Sequence, residues 1–208
     1  MNPRVGLIGA GYWGQNLART LHRLGALAVL CDAARETLDG FGDLGVELSA
    51  DPQRVLGGGD LDGVCIAAPA ETHYPLAKAA LERGLDVFVE KPLALTLPQG
   101  EALVQLAAEH HRILMVGHIL HYHPAVIRLK QMMDEGVLGE LRYVYSNRLN
   151  IGKLRTEENI LWSFAPHDIS VILALVGAAP ERVECRGGSY LTPGVHDTTL
   201  TSLRFPDG

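Results

Sequence analysis

Over the first 118 residues, short apolar runs alternate with longer segments of helical period, the pattern of parallel strands joined by crossover helices. Strands are expected at Val5–Ile8, Ala26–Cys31, Gly63–Ala67, Asp86–Val89 and Ile113–Val116. These runs lack polar alternation, so helices should cover both faces of the sheet they form. The punctuation between them agrees. Leu17, Leu21 and Leu24 fall at helical spacing, and Gly25 follows as a left-handed stop. Asp51 before Pro52 reads as an N-cap with proline at the first helical position, and Gly84 closes the helix that carries Leu76, Ala80 and Arg83. Thr96 with Gln99 reads as a capping box opening a helix toward His110.

After Tyr122 the pattern changes. Pro124 to Glu135 reads as one helix ended by Gly136, and strand character follows at Leu141–Leu149, Arg182–Leu191 and Thr198–Phe205. In the last run Leu200, Ser202 and Arg204 point one way, while Thr199, Thr201, Leu203 and Phe205 point the other. The expected class is α/β: a doubly wound parallel sheet over residues 1–121, then an incomplete α+β domain over residues 122–208 with a largely antiparallel sheet. Asp207-Gly208 normally turns a strand into a hairpin, and no strand follows. The chain is therefore expected to be a fragment, or to have its last sheet edge covered by something else.

Composition narrows the function. Of 208 residues 47% are hydrophobic and 20% charged, which excludes disordered and low-complexity classes. Lys plus Arg at 18 against Asp plus Glu at 24 gives a net charge of −6 and a pI near 5.8. With no block of like charge, neither nucleic acid nor a membrane surface is an expected partner. Cys31, Cys65 and Cys185 are odd in number and form no CxxC pair, so a reducing compartment is expected. No leader pattern opens the chain and no apolar run is long enough to span a bilayer, so the expected location is the cytoplasm.

GAGYWG, from Gly9 to Gly14, directly follows the first strand and opens a helix. Gly9 permits a tight turn, Gly11 lets the backbone approach a pyrophosphate, and Gly14 allows close packing of helix on strand. The anion would meet the exposed N–H groups and positive end of the helix beginning near Tyr12. Asp32 ends the second strand, where a carboxylate accepts hydrogen bonds from an adenosine ribose and repels a 2′-phosphate. The domain is thus expected to be a Rossmann fold that takes NAD in preference to NADP. Arg35 nearby is the feature that would tolerate a phosphate. The expected cofactor contacts are Gly9, Gly11, Tyr12, Trp13, Gly14, Asp32, Ala68, Pro69, His73, Glu90 and Lys91. For His73 the alternative is an ordinary helix-start residue.

Glu90-Lys91-Pro92 sits at the carboxyl end of the strand Asp86–Val89, the sheet edge at which ligands bind. Proline fixes the backbone just after the lysine. The order GAGYWG, EKP and then Pro166-His167-Asp168 resembles the Gfo/Idh/MocA oxidoreductases, the glucose-fructose and inositol dehydrogenase-like family, and the resemblance runs the length of the chain. It implies a dehydrogenase in which Lys91 orients and polarises the reacting oxygen and His167 is the general acid/base. Histidine suits that task because it titrates near neutral pH. The plainer readings are a surface lysine for Lys91 and a helix-start residue for His167. Many family members place an aspartate four residues before this histidine, where Ser163 stands here. The chain is expected to work with Lys91 and His167 alone; the alternatives are that Asp168 or another acid supplies the charge, or that the chain is not a competent dehydrogenase.

The segment Ser146 to Asn159 concentrates Asn147, Arg148, Asn150, Lys153 and Arg155, guanidiniums and amides suited to carboxylates, phosphates and sugar hydroxyls; the plainer alternative is an ordinary solvated loop. Its resemblance is to family members that oxidise the 3-hydroxyl of nucleotide-linked N-acetylhexosamines. Expected substrate contacts are Lys91, His118, Asn147, Arg148, Lys153, Arg155 and His167, with free aldoses or inositols as alternative substrates. His121 and His123 would share one face of an extended segment, but no acidic or cysteine ligand accompanies them and no metal is expected. The resemblance also implies a homo-oligomer for a complete chain. The competing function is a non-catalytic dinucleotide sensor on the same fold.

Overall fold

The apolar runs of the N-terminal half become the strands of one parallel sheet. In chain order the elements are β1 (Val5–Ile8), α1 (Gly14–Arg23), β2 (Leu27–Cys31), α2 (Arg35–Leu38), a 3-10 turn (Asp39–Leu44), β3 (Glu47–Ser49) and α3 (Pro52–Leu56). They continue with β4 (Gly63–Ile66), α4 (Ala70–Glu82), β5 (Asp86–Val89), α5 (Leu97–Glu109) and β6 (Leu114–Val116). This computed structural model describes residues 2–57, 59–149 and 159–206. The strands lie in the order β3-β2-β1-β4-β5-β6, all parallel. Winding therefore reverses between β1 and β4, which opens a crevice at their carboxyl ends.

Both faces of the sheet are covered. Leu7, Leu30 and Cys65 pack on one side with Ala18 of α1, Leu38 and Phe41. On the other, Ile8, Val29, Ile66 and Val89 pack with Val55 of α3, Leu81 of α4 and Leu103 of α5. Each fully buried aliphatic side chain contributes about 1.5–3 kcal/mol. The sequence reading overlooked β3, whose three residues form an edge strand paired only with β2. So short a strand carries too little period to stand out.

The caps are largely as read. Asp51 accepts a hydrogen bond from Gln53 N at 2.9 Å, and Gly25, Gly84 and Gly136 have positive φ. The capping box is corrected: Thr96 occupies the N-cap of α5 but makes no side-chain cap bond. A capping box requires the Thr96 side chain to accept from the Gln99 amide, and that bond is not made.

The chain divides after Gly117 into two compact units. The second contains a 3-10 turn (Ile119–Tyr122), α6 (Pro124–Asp134), α7 (Ile160–Val176) and an antiparallel pair, β7 (Arg182–Gly188) with β8 (Thr198–Arg204). Leu141–Leu149 does not form the expected strand: these residues are exposed and pair with no strand among the described residues. Alternation marks a face, but a strand also needs a neighbour for its N–H and C=O groups. β7 stops at Gly188, three residues short of the expected end at Leu191. The amides of Tyr190 and Leu191 turn to the Asp197 carboxylate at 2.7 and 2.6 Å, and those backbone bonds hold its carboxyl below the usual range. In β8 Thr199, Thr201 and Leu203 are half-buried and their neighbours exposed, matching the alternation. Asp207-Gly208 lies outside the described residues. No helix among the described residues is long and apolar enough to cross a membrane.

Candidate active site

The glycine turn lies at the carboxyl ends of β1 and β4. Gly9 has φ +99°, and a Cβ there would meet the Ala67 carbonyl oxygen at 2.4 Å. A Cβ on Gly14, the first residue of α1, would stand 2.0 Å from the Gly9 oxygen. The first and third glycines thus permit the close approach of turn, strand and helix. Gly11 differs, because an added Cβ would meet nothing within 4 Å. With Tyr12 93% exposed, open space lies over the start of α1, where backbone amides and the helix dipole favour an anion. This cradle fits a dinucleotide pyrophosphate.

Asp32 follows β2 directly. One oxygen accepts from the Ala10 amide at 2.7 Å and the other from the Ala34 amide at 2.9 Å. The carboxylate that suits a ribose diol therefore also ties the glycine turn to the end of β2, and its remaining lone pairs are those a ribose would use. Ala10 had no signal in the sequence, since its contribution is a backbone amide.

Beyond β4, the strand β5 delivers Glu90, Lys91 and Pro92 to the same sheet edge. Trp13 and Glu90, both expected at the cofactor, bond to each other: the indole Nε1–H donates to Glu90 Oε1 at 2.5 Å. The Lys91 amide donates to Glu90 Oε2 at 3.3 Å. Behind the carboxylate lies Gly117, where a Cβ would come within 2.9 Å of both oxygens. Burial raises the Glu90 carboxyl above the usual glutamate range, against the pull of Trp13, the Lys91 amide and charge, and His73.

His73 is the fourth residue of α4, near the helix start of the alternative reading. It sits inside α4, 1% exposed, with Nδ1 2.6 Å from the Pro92 oxygen and Nε2 2.9 Å from the Ala68 oxygen. Both ring nitrogens are engaged by backbone. Carbonyls only accept, so both contacts are hydrogen bonds when each nitrogen carries a proton. Ala68 and Pro69 lead from the carboxyl end of β4 into α4.

In the second unit, His167 lies within α7 rather than at its start, so the helix-start alternative is corrected; the cap is Asn159, accepting from Trp162 N at 3.1 Å. Buried Ser163 stands one turn earlier on the same helix face. Asp168, the alternative acid, is taken by others: Arg148 Nε donates to one oxygen at 2.8 Å and Ser146 Oγ to the other at 2.9 Å. Arg148 also stands over the Phe164 ring at 6.0 Å. Asn147, Arg148 and Asp168 line an open cleft of about 1540 Å³ confined to this unit, with Tyr143, Tyr145 and Leu200. Lys153 and Arg155, like Asn150, lie outside the described residues.

The histidine cluster is also rearranged. Residues 119–122 form a 3-10 turn, so His118 and His121, three apart, face each other with ring centroids 6.0 Å apart. Burial, then His121, lowers the His118 pKa. His123 instead caps α6, accepting from the Ala125 amide at 3.2 Å. The expected extended face shared by His121 and His123 is thus absent. Among the described residues no cluster of three His, Cys, Asp or Glu is placed to hold a metal.

Residues 3–118 match the model of an oxidoreductase family with an NAD-binding Rossmann fold, and residues 126–208 match the GFO/IDH/MocA C-terminal domain. The chain belongs to the Gfo/Idh/MocA oxidoreductases. Among its curated relatives in the Gfo/Idh/MocA family is the UDP-N-acetylglucosamine 3-dehydrogenase of Acidithiobacillus ferrooxidans, 31% identical over 92% of this chain and 60% of that protein. Inositol 2-dehydrogenase 4 of Saccharopolyspora erythraea is 36% identical over 99% of this chain and 64% of that protein. A putative oxidoreductase from Klebsiella pneumoniae superposes with a TM-score of 0.83 at 28% identity, covering 99% of this chain and 59% of that one. The chain thus spans roughly 60% of the length of these relatives.

Proposed function

We propose that the chain forms the cofactor-binding part and the start of the substrate part of an NAD-dependent dehydrogenase acting on a secondary hydroxyl of a sugar. The observation that carries this reading is the meeting, at one carboxyl edge, of an open glycine turn, the Asp32 carboxylate and the Glu90-Lys91-Pro92 strand end. When bound, the dinucleotide supplies a nicotinamide ring that accepts or returns a hydride. The turn Gly9 to Gly14 holds the pyrophosphate, and Asp32 accepts from the ribose and disfavours a 2′-phosphate, so NAD is preferred to NADP. The Lys91 ammonium donates to the reacting oxygen and stabilises negative charge as it develops there. His167 takes the hydroxyl proton during oxidation and returns it during reduction. Ser163 cannot lend that histidine a negative charge, and Asp168 is engaged with Arg148, so Lys91 and His167 carry the chemistry between them.

For the substrate, the reading is the 3-hydroxyl of a nucleotide-linked N-acetylhexosamine or its uronate. It is supported by the similarity to the Acidithiobacillus enzyme and by the Asn147 and Arg148 donors beside the cleft. A second reading, inositol or a free aldose, is favoured by the 36% identity to the Saccharopolyspora protein. In both, the complete protein is a cytoplasmic homo-oligomer with small-molecule substrates. The test is Lys91→Met, assayed for NADH formation with each substrate class and for NADH binding. Turnover should fall by about 100-fold or more while NADH binding is kept. Retained turnover removes Lys91 from the chemistry, and cofactor binding with no reduction of NAD+ by any sugar would make the protein a sensor.

A further inference from the structure

Lys91 is anchored through its neighbours. Its amide and the Trp13 indole end on the same carboxylate, that of Glu90, at 3.3 and 2.5 Å. Trp13 belongs to the turn after β1 and Glu90 to the end of β5, with β4 between them in the sheet. The bond therefore spans the carboxyl end of β4, across the crevice that receives the cofactor. Gly117 leaves the carboxylate its space, since a Cβ there would come within 2.9 Å of both oxygens. On the far side of Lys91, the ring nitrogens of buried His73 lie 2.6 Å from the Pro92 oxygen and 2.9 Å from the Ala68 oxygen. The residues before and after the lysine are thus each tied to a different part of the crevice wall.

We propose that Glu90 is a positioning residue: by binding Trp13 and the Lys91 amide at once, it makes the glycine turn and the lysine one rigid frame, so that Lys91 is set relative to the bound dinucleotide. A hydrophobic residue at position 13 would suffice to pack the turn; an indole N–H aimed at a half-buried carboxylate is an added constraint. Holding that charge is unfavourable in isolation, since burial disfavours the ionised form. The groups facing it offset part of the cost: the Trp13 N–H, the Lys91 amide and ammonium, and the His73 ring. Cys65 on β4 also faces Glu90, but burial pushes its thiol up to about 12, so it stays neutral. The inference rests on the reading of Lys91 as the catalytic lysine.

Two variants test it in the full chain. Trp13→Phe keeps an aromatic ring and removes the N–H; Glu90→Gln keeps the shape and removes the charge. In NMR spectra of the wild type, the Trp13 indole and Lys91 amide resonances should titrate together with one midpoint above the usual glutamate range. Glu90→Gln should abolish that titration, and Trp13→Phe should shift the Lys91 amide across the crevice. Independent titrations, or a Lys91 amide indifferent to Trp13→Phe, would overturn the proposal whether or not a substrate is known. With substrate, both variants should lower kcat by about tenfold or more, a larger factor than any change in NADH affinity. Unchanged kcat in both also overturns it. If Lys91→Met keeps its turnover, the functional reading fails, whereas the NMR result still decides whether Glu90 joins the turn to residue 91.

Discussion

The carboxylate of Asp32 holds the Ala10 amide at 2.7 Å and, through its second oxygen, the Ala34 amide at 2.9 Å. A residue read as a ribose acceptor is therefore also a structural tie between the glycine turn and β2. Replacing it by asparagine sets an N–H against one of the two amides. Asp32→Asn should cost about 1–3 kcal/mol of stability and weaken the preference for NADH over NADPH. Thermal melting and fluorescence titration with both nucleotides check this; an unchanged melting temperature would show that the two bonds contribute nothing.

The first two glycines of the turn should separate folding from binding. A Cβ at Gly9 collides with backbone, while one at Gly11 meets open space. Gly9→Ala is expected to destabilise the domain by several kcal/mol, because φ there is also +99°. Gly11→Ala should melt like the wild type yet bind NADH about tenfold more weakly, its methyl standing where the pyrophosphate approaches. Equal melting temperatures for the two variants would contradict the geometry.

Glu90 links pH to stability in the direction opposite to an ordinary paired carboxylate. Its folded-state pKa is raised, chiefly by burial, so the folded protein binds that proton more tightly than the unfolded chain. The stabilisation is present in acid, below the ordinary glutamate value, and is lost as pH rises through the raised one. At neutral pH Glu90→Gln should therefore melt a few degrees higher than the wild type, and the gap should close in acid. Melting curves over that range would reject this if the gap widened as pH fell.

Arg148 and Asp168 join the exposed segment 141–149 to α7 through a partly exposed ion pair. Asp168→Asn should lower stability by about 1 kcal/mol or less in low salt, with the difference shrinking as salt is added. Denaturant titrations at two ionic strengths measure it; a salt-independent loss would place the effect in packing rather than charge.

Much of the first unit was legible in the sequence because its signals are local. Four- and five-residue apolar runs, Asp51 before Pro52, and glycines after helices each state a backbone preference within a few residues. Where a signal needed a distant partner, it misled. Leu141–Leu149 alternates like a strand yet pairs with none among the described residues. His121 and His123 were paired by the period of a strand, whereas the chain there follows a 3-10 turn.

The candidate site divides in the same way. Residue types and order alone located the Gly9–Gly14 turn, Asp32 and the Glu90-Lys91-Pro92 strand end, since tight turns and strand termini are written in adjacent residues. Only the tertiary structure aimed Trp13 at Glu90, placed His73 between the Pro92 and Ala68 carbonyls, and committed Arg148 to Asp168. Those contacts join residues brought close by strand order and helix packing, and hydrogen bonds act over about 3 Å of space regardless of how many residues separate the partners along the chain.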